Sequence, residues 1–169
     1  MYRKIVILGC LVLGLLGAAA VGFFIIAMGE MPNLSIEQFS QISLEDINGQ
    51  EHSLSEYAGK KVFLNFWTVE NETSLSELPK LQKVYDGLDK NEYVLLTISS
   101  GQSRRDAKEL AEQKGYTFPI LLDKEGKLVR QLGLRQLPAS FIIGSDGKVL
   151  LKALGPRDWT VQDLKILSN

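Results

Sequence analysis

Two kinds of hydrophobic pattern divide the chain. Residues 5–28 form a run of 24 without a charge, long enough to cross a bilayer as a helix, for which about 20 apolar residues suffice. Beyond it, apolar positions come in short bursts. Residues 42–47 alternate and meet Asn48-Gly49, a pair suited to a two-residue hairpin turn, and the chain returns through residues 51–54. A turn follows at 55–59. Residues 62–67 are mostly apolar, the pattern of a strand buried on both faces. Leu75, Leu78, Leu81, Val84, Tyr85 and Leu88 recur at spacings of three and four, which predicts a helix over 72–88. Pro79 should kink that helix or open its second half, because proline lacks the N–H of an intrahelical bond. Further along, 93–98 reads as a central strand and 104–114 as a polar helix stopped by Gly115. A short strand is expected at 118–122 and a short helix at 125–132. Pro138 introduces a strand at 139–143, which turns at Ser145-Asp146-Gly147 into 148–153. Residues 159–167 close the chain as a helix. Strands alternating with helices before a terminal hairpin and helix predict an α/β fold with a central mixed sheet.

The charge pattern gives this layout a direction. Arg3 and Lys4 precede the apolar run and the next charge is Glu30, so the positive-inside rule puts the N-terminus in the cytoplasm and the rest outside. The expected parts are a cytoplasmic N-terminus with a single transmembrane anchor over 1–29, a linker over 30–41, and a folded domain over 42–169. A cleaved signal peptide is the rival reading, but its apolar core runs about 7–15 residues. Ile7-Leu8-Gly9-Cys10 weakly matches a lipoprotein cleavage box, yet only residues 5–9 separate the charges from Cys10. Within the anchor, Cys10, Gly14, Ala18 and Gly22 recur every four residues, a small-residue stripe that would let another membrane helix approach closely. Beyond Arg3 and Lys4, 17 basic residues stand against 20 acidic ones, with no basic run longer than two. Nucleic-acid binding therefore has no electrostatic footprint. One histidine and one cysteine cannot build a metal cluster, and no cofactor is expected.

The chemistry concentrates in residues 62–79, VFLNFWTVENETSLSELP, an apolar strand entering a polar turn and then a helix with a proline. Asn65-Phe66-Trp67 and Pro79 resemble, without insertion, the N-F-W-x-x-W-C-x-x-C and following proline of membrane-anchored TlpA/ResA-like thioredoxin-fold proteins. The two cysteine positions fall on Asn71 and Ser74. Supporting motifs, in family order, are N-G-x-x-x-S-L (48–54), Y-x-F-P (116–119), L-P-A-S-F-I-I (137–143) and D-G-K-V (146–149), so the resemblance covers about residues 40–167. It implies a thioredoxin-like fold with an N-terminal β-hairpin, and Pro138 in cis beside the turn bearing Asn71 and Ser74. It also implies a surface at this corner that docks the backbone of a partner polypeptide, lined here by Trp67, Asn71, Glu72, Thr73, Ser74, Leu137 and Pro138. The resemblance further implies cytochrome c maturation or envelope thiol handling as the ancestral setting.

Thiol–disulfide exchange needs a thiolate, and a two-cysteine site needs a second thiol to resolve the mixed disulfide. Cys10 lies about sixty residues before the turn. An amide is no nucleophile, and a lone hydroxyl has no accessible redox couple. Glu70 and Glu72 would repel a thiolate but suit a helix start, where Asn71, Thr73 or Ser74 can cap. Thr73 or Ser74 would need an adjacent base to act as a nucleophile, and the only histidine, His52, belongs to the opening hairpin. Glu70, Glu72 and Glu77 could act as acid and base or bind a cation, or simply form a solvated helix start. A peroxiredoxin relative would need the missing cysteine. The resulting expectation is a protein that is not an enzyme: a redox-inactive, extracytoplasmic thioredoxin-like domain on a membrane anchor. It would bind protein, act as a chaperone or serve as an accessory subunit, its partner being another envelope or membrane protein. The rival is an enzyme of the thiol–disulfide oxidoreductase and peroxiredoxin-like superfamily using a non-cysteine site at Glu70, Glu72 and Ser74.

Overall fold

A computed structural model describes residues 41–167. The chain divides into two units after Met31, and every described residue belongs to the second, Pro32–Asn169. The expected anchor, its Cys10, Gly14, Ala18 and Gly22 stripe, and all but the last residue of the linker lie outside the described residues. Among the described residues, no helix is long and apolar enough to cross a membrane.

The first two strands, β1 (Ser43–Glu45) and β2 (Glu51–Ser53), pair antiparallel as a separate hairpin. Its loop is one residue longer than the Asn-Gly pair suggests. Asp46 N–H donates to the Gln50 carbonyl at 2.8 Å, and Gly49 N–H to the Asp46 carbonyl at 3.1 Å. Ile47, Asn48 and Gly49 therefore form a three-residue loop with Gly49 at φ 88°, a left-handed position that glycine fills without steric cost. The extra residue is used elsewhere, since Ile47 N–H donates to the Ile120 carbonyl and ties the hairpin to the sheet. A 3-10 turn (Leu54–Tyr57) follows, closed by a capping box between Ser53 and Glu56.

The main sheet has five strands: β3 (Lys61–Trp67), β4 (Tyr93–Ser100), β5 (Ile120–Asp123), β6 (Ala139–Ile143) and β7 (Val149–Leu154). Their order is β5-β4-β3-β6-β7, with β3, β4 and β5 parallel and β6 and β7 antiparallel additions. Four helices connect and close them: α1 (Glu72–Gly87), α2 (Arg104–Lys114), α3 (Lys127–Gln131) and α4 (Val161–Leu167). α1 runs on through Pro79 as one helix rather than dividing there. α2 stops where Gly115 turns left-handed at φ 69°, its N–H donating back to the last turn.

Strand alternation splits the core into two layers. On one face Phe63, Trp67, Leu95, Ile120, Leu122, Ile142 and Ala153 pack beneath α1, α2, α4 and Trp159. On the other, Val62, Leu64, Phe66, Leu96, Ile98, Leu121, Ala139, Phe141 and Ile143 pack beneath α3 and Leu54. β3 is buried on both faces, as its near-continuous apolar run requires. This is the thioredoxin-like α/β architecture, with β3 and α1 meeting at the C-terminal edge of the sheet's centre.

Candidate functional site

The end of β3 delivers the chain to a corner built by polar side chains. Asn71 is the N-cap of α1, with extended backbone at φ −128°, and its Oδ1 accepts from Thr73 N–H at 2.9 Å and from the Thr73 hydroxyl at 2.5 Å. These bonds satisfy one of the amide groups that a helix start leaves unpaired. The other end of the same amide reaches out of the helix: Asn71 Nδ2 donates to the Leu137 carbonyl at 2.7 Å. Leu137 precedes Pro138 through a cis peptide bond, as expected. Pro138 in turn accepts from Gly155 N–H at 2.8 Å, at the end of β7. One side chain thus spans the strand-to-helix corner and the proline loop.

The other expected residues divide by exposure. Glu72 and Thr73 are exposed, and Asn71 and Leu137 half-buried. Trp67 and Ser74 are fully buried and Pro138 is buried too, so these three lie beneath the corner and back it, instead of standing on its open surface. Neither Trp67 Nε1 nor Ser74 Oγ has a hydrogen-bond partner among the described residues. Ser74 is not assembled with Glu70 and Glu72, whose side chains are out in solvent. His52 bonds within its own hairpin region instead, to Asp46 at 3.4 Å and to the Tyr57 hydroxyl at 3.3 Å. Val69, at the lip of the turn, is 40% exposed, one of the few large apolar side chains so open among the described residues.

Glu77 departs from expectation. It does not belong to a solvated helix start: it is 1% exposed and faces inward with Leu78 and Leu81. Its Oε1 accepts from Trp159 Nε1 and from Arg157 N–H, both at 2.9 Å, and its Oε2 accepts from Asn65 Nδ2 at 2.8 Å. Asn65 Nδ2 also donates to the Ser140 hydroxyl at 2.9 Å, on the strand that follows Pro138. Burial pushes the Glu77 carboxyl above the usual carboxylate range, against the opposing pull of its three donors. This network joins β3, α1, β6 and the segment before α4 directly under the corner. Sequence reasoning passed over it, although Asn65 inside an apolar strand was a usable signal: a buried amide requires partners. Among the described residues, no three His, Cys, Asp or Glu side chains converge to hold a metal.

Comparison with known proteins places this corner in its family. The AhpC/TSA family model matches residues 36–152. The chain belongs to that family, as a ResA/TlpA-like thioredoxin-fold member. It is 34% identical over 122 residues to the thiol-disulfide oxidoreductase ResA of Geobacillus thermodenitrificans, covering 72% of this chain and 69% of that one. A second ResA, from Geobacillus kaustophilus, is 34% identical over 106 residues, covering 63% of this chain and only 61% of its own length. Among solved structures, the pneumococcal exposed lipoprotein thioredoxin Etrx1 of Streptococcus pneumoniae superposes with a TM-score of 0.63 at 30% identity. That match covers 75% of this chain and 96% of Etrx1.

These relatives correct one expectation. The absence of sulfur at positions 71 and 74 led to a protein outside enzyme chemistry, whereas its relatives are named as thiol–disulfide oxidoreductases and the family is one of enzymes. What the residues support is narrower: Asn71 and Ser74 bring no thiol to the corner they share.

Proposed function

We propose that this chain is a membrane-anchored, extracytoplasmic member of the thiol–disulfide oxidoreductase family whose corner around Asn71, Leu137 and Pro138 docks a segment of a partner polypeptide. The observation that carries this reading is the 2.7 Å bond from Asn71 Nδ2 to the Leu137 carbonyl. It holds the helix start and the proline loop together as a preformed wall without any sulfur. A rigid, prepaid geometry reduces the ordering cost of binding. Val69 supplies exposed apolar surface at the lip, and the Leu137 carbonyl retains a second lone pair for an incoming backbone N–H. The uncharged run at 5–28 behind Arg3 and Lys4 supports an anchor with the domain outside the cytoplasm, and the similar Etrx1 is described as an exposed lipoprotein. The partner is then another protein of the envelope or membrane.

The test is Glu72→Cys in the full chain, expressed in cells, at an exposed position beside Asn71 that leaves the bond to Leu137 intact. Position 74 carries no thiol, so a mixed disulfide formed at position 72 has no resolving partner at the corner and persists. One dominant polypeptide adduct is expected, absent from a Ser76→Cys control on the exposed side of the same helix. An adduct pattern no different from that control overturns the reading.

A further inference from the structure

Strand β7 ends the sheet, and among the described residues it pairs only with β6. The opposite edge is partly closed, because Asp46 bridges to Leu121 and Ile47 N–H donates to Ile120 on β5. Side chains on β7 alternate between the two layers. Leu151 and Ala153 pack into the core beneath Trp159 and α4. Lys152 and Leu154 stand in register with Phe141 and Ala139 and therefore share their face, with Leu150 at the bulge where the strand begins. On that face β7 adds only the half-buried Val149 to the core. Leu150 is 41% exposed and Leu154 54%. Edge strands are usually blunted by outward charges or proline. Here the one charge is folded down instead: Lys152 Nζ lies 5.7 Å from the centre of the Phe141 ring. Burial lowers its ammonium below the usual lysine range, and no carboxylate among the described residues forms an ion pair with it.

We propose that β7 receives an extended segment of a partner protein as a sixth strand, carrying an acidic residue opposite Lys152 between apolar residues opposite Leu150 and Leu154. Backbone bonds along a free edge supply affinity in such pairing, and alternate side chains supply selectivity. Charge complementarity chooses the occupant. A carboxylate on the incoming strand gives the partly desolvated Lys152 the counter-ion it lacks, since opposite charges across paired strands attract. A second copy of this chain fits poorly. The self-paired register that keeps the two faces aligned sets Leu150 against Leu154 and Lys152 against Lys152, a like-charge pair.

The test uses the full chain in detergent and a labelled threonine-rich peptide with leucine, glutamate and leucine at alternate positions, followed by fluorescence polarisation. Saturable binding is expected. Lys152→Glu should weaken it about tenfold, and replacing the peptide's glutamate with lysine should restore binding to that variant. N-methylating the peptide at alternate amides, which leaves the protein untouched, should abolish binding if the backbone edge is used. Three results overturn the proposal: no saturable binding, binding indifferent to the charge swap or to N-methylation, or peptide-independent dimerisation that Lys152→Glu alters.

Discussion

Glu77 offers the sharpest energetic test, because two substitutions separate its charge from its hydrogen bonds. In Glu77→Gln the remaining Oε1 can still accept from Arg157 N–H and Trp159 Nε1. The new amide N–H faces Asn65 Nδ2, but Asn65 can turn its own amide and present the Oδ1 that otherwise lacks a partner. That oxygen can also accept from the Ser140 hydroxyl. The change should therefore cost only about 0.5–1.5 kcal/mol, the scale of one net hydrogen bond. Glu77→Ala instead strands the Trp159 and Arg157 donors, at about 1–3 kcal/mol each, before any cavity is counted. A loss of about 2–6 kcal/mol is a large share of the roughly 5–15 kcal/mol typical of a domain. The charge adds a pH signature. Burial raises the folded carboxyl above its unfolded value, so the folded state binds the proton more tightly. That contribution is fully present below the unfolded value, about 4.3, and is lost as pH rises through the raised folded value. Glu77→Gln has no such loss, so the stability difference between it and the native chain should move in its favour across that window. Denaturant titrations followed by fluorescence will report this cleanly, because the only two tryptophans, Trp67 and Trp159, are both buried in this core. Gln as damaging as Ala, or a native-minus-Gln difference that is flat with pH, would refute this role for Glu77.

Other consequences follow from individual contacts. Asn71→Asp keeps an oxygen to cap Thr73 but removes the donor to Leu137; hydrogen exchange should quicken in the loop around Pro138 while α1 keeps its protection. Asn71→Ala removes the cap as well, and should cost about 1 kcal/mol more from the helix start, measured by urea unfolding. Gly115→Ala should cost about 1–2 kcal/mol, since φ is 69° and, among the described residues, none beyond the local backbone comes within 4 Å of the added methyl, leaving backbone strain as the main penalty.

What could be read from the sequence was whatever repeats along it. The three-and-four spacing of Leu75, Leu78 and Leu81 marked α1, and Gly115 marked the end of α2, because periodicity and capping are local. Asn71 as a helix cap was likewise legible. Its bond to Leu137 was not, since it joins residues 66 apart in sequence through a loop whose path the fold alone determines. The hairpin loop differs from its sequence signal for the same reason: Asn48-Gly49 favours a two-residue turn, but Ile47 is recruited by Ile120 across the sheet. By its charge alone, Glu77 reads as an acid–base or cation-binding candidate or as part of a solvated helix start. Its place in the stripe of Ser74, Leu78 and Leu81 pointed inward, and Asn65 opposite it completed the clue.

Amide chemical shifts of the isotope-labelled full chain, titrated with an unfolded, carboxymethylated polypeptide, decide whether the corner of Asn71, Leu137 and Pro138 holds polypeptide. Saturating shifts confined to residues 69–73 and 137–140, weakened by Asn71→Asp, are the expected result. Shifts elsewhere with that corner silent would contradict it.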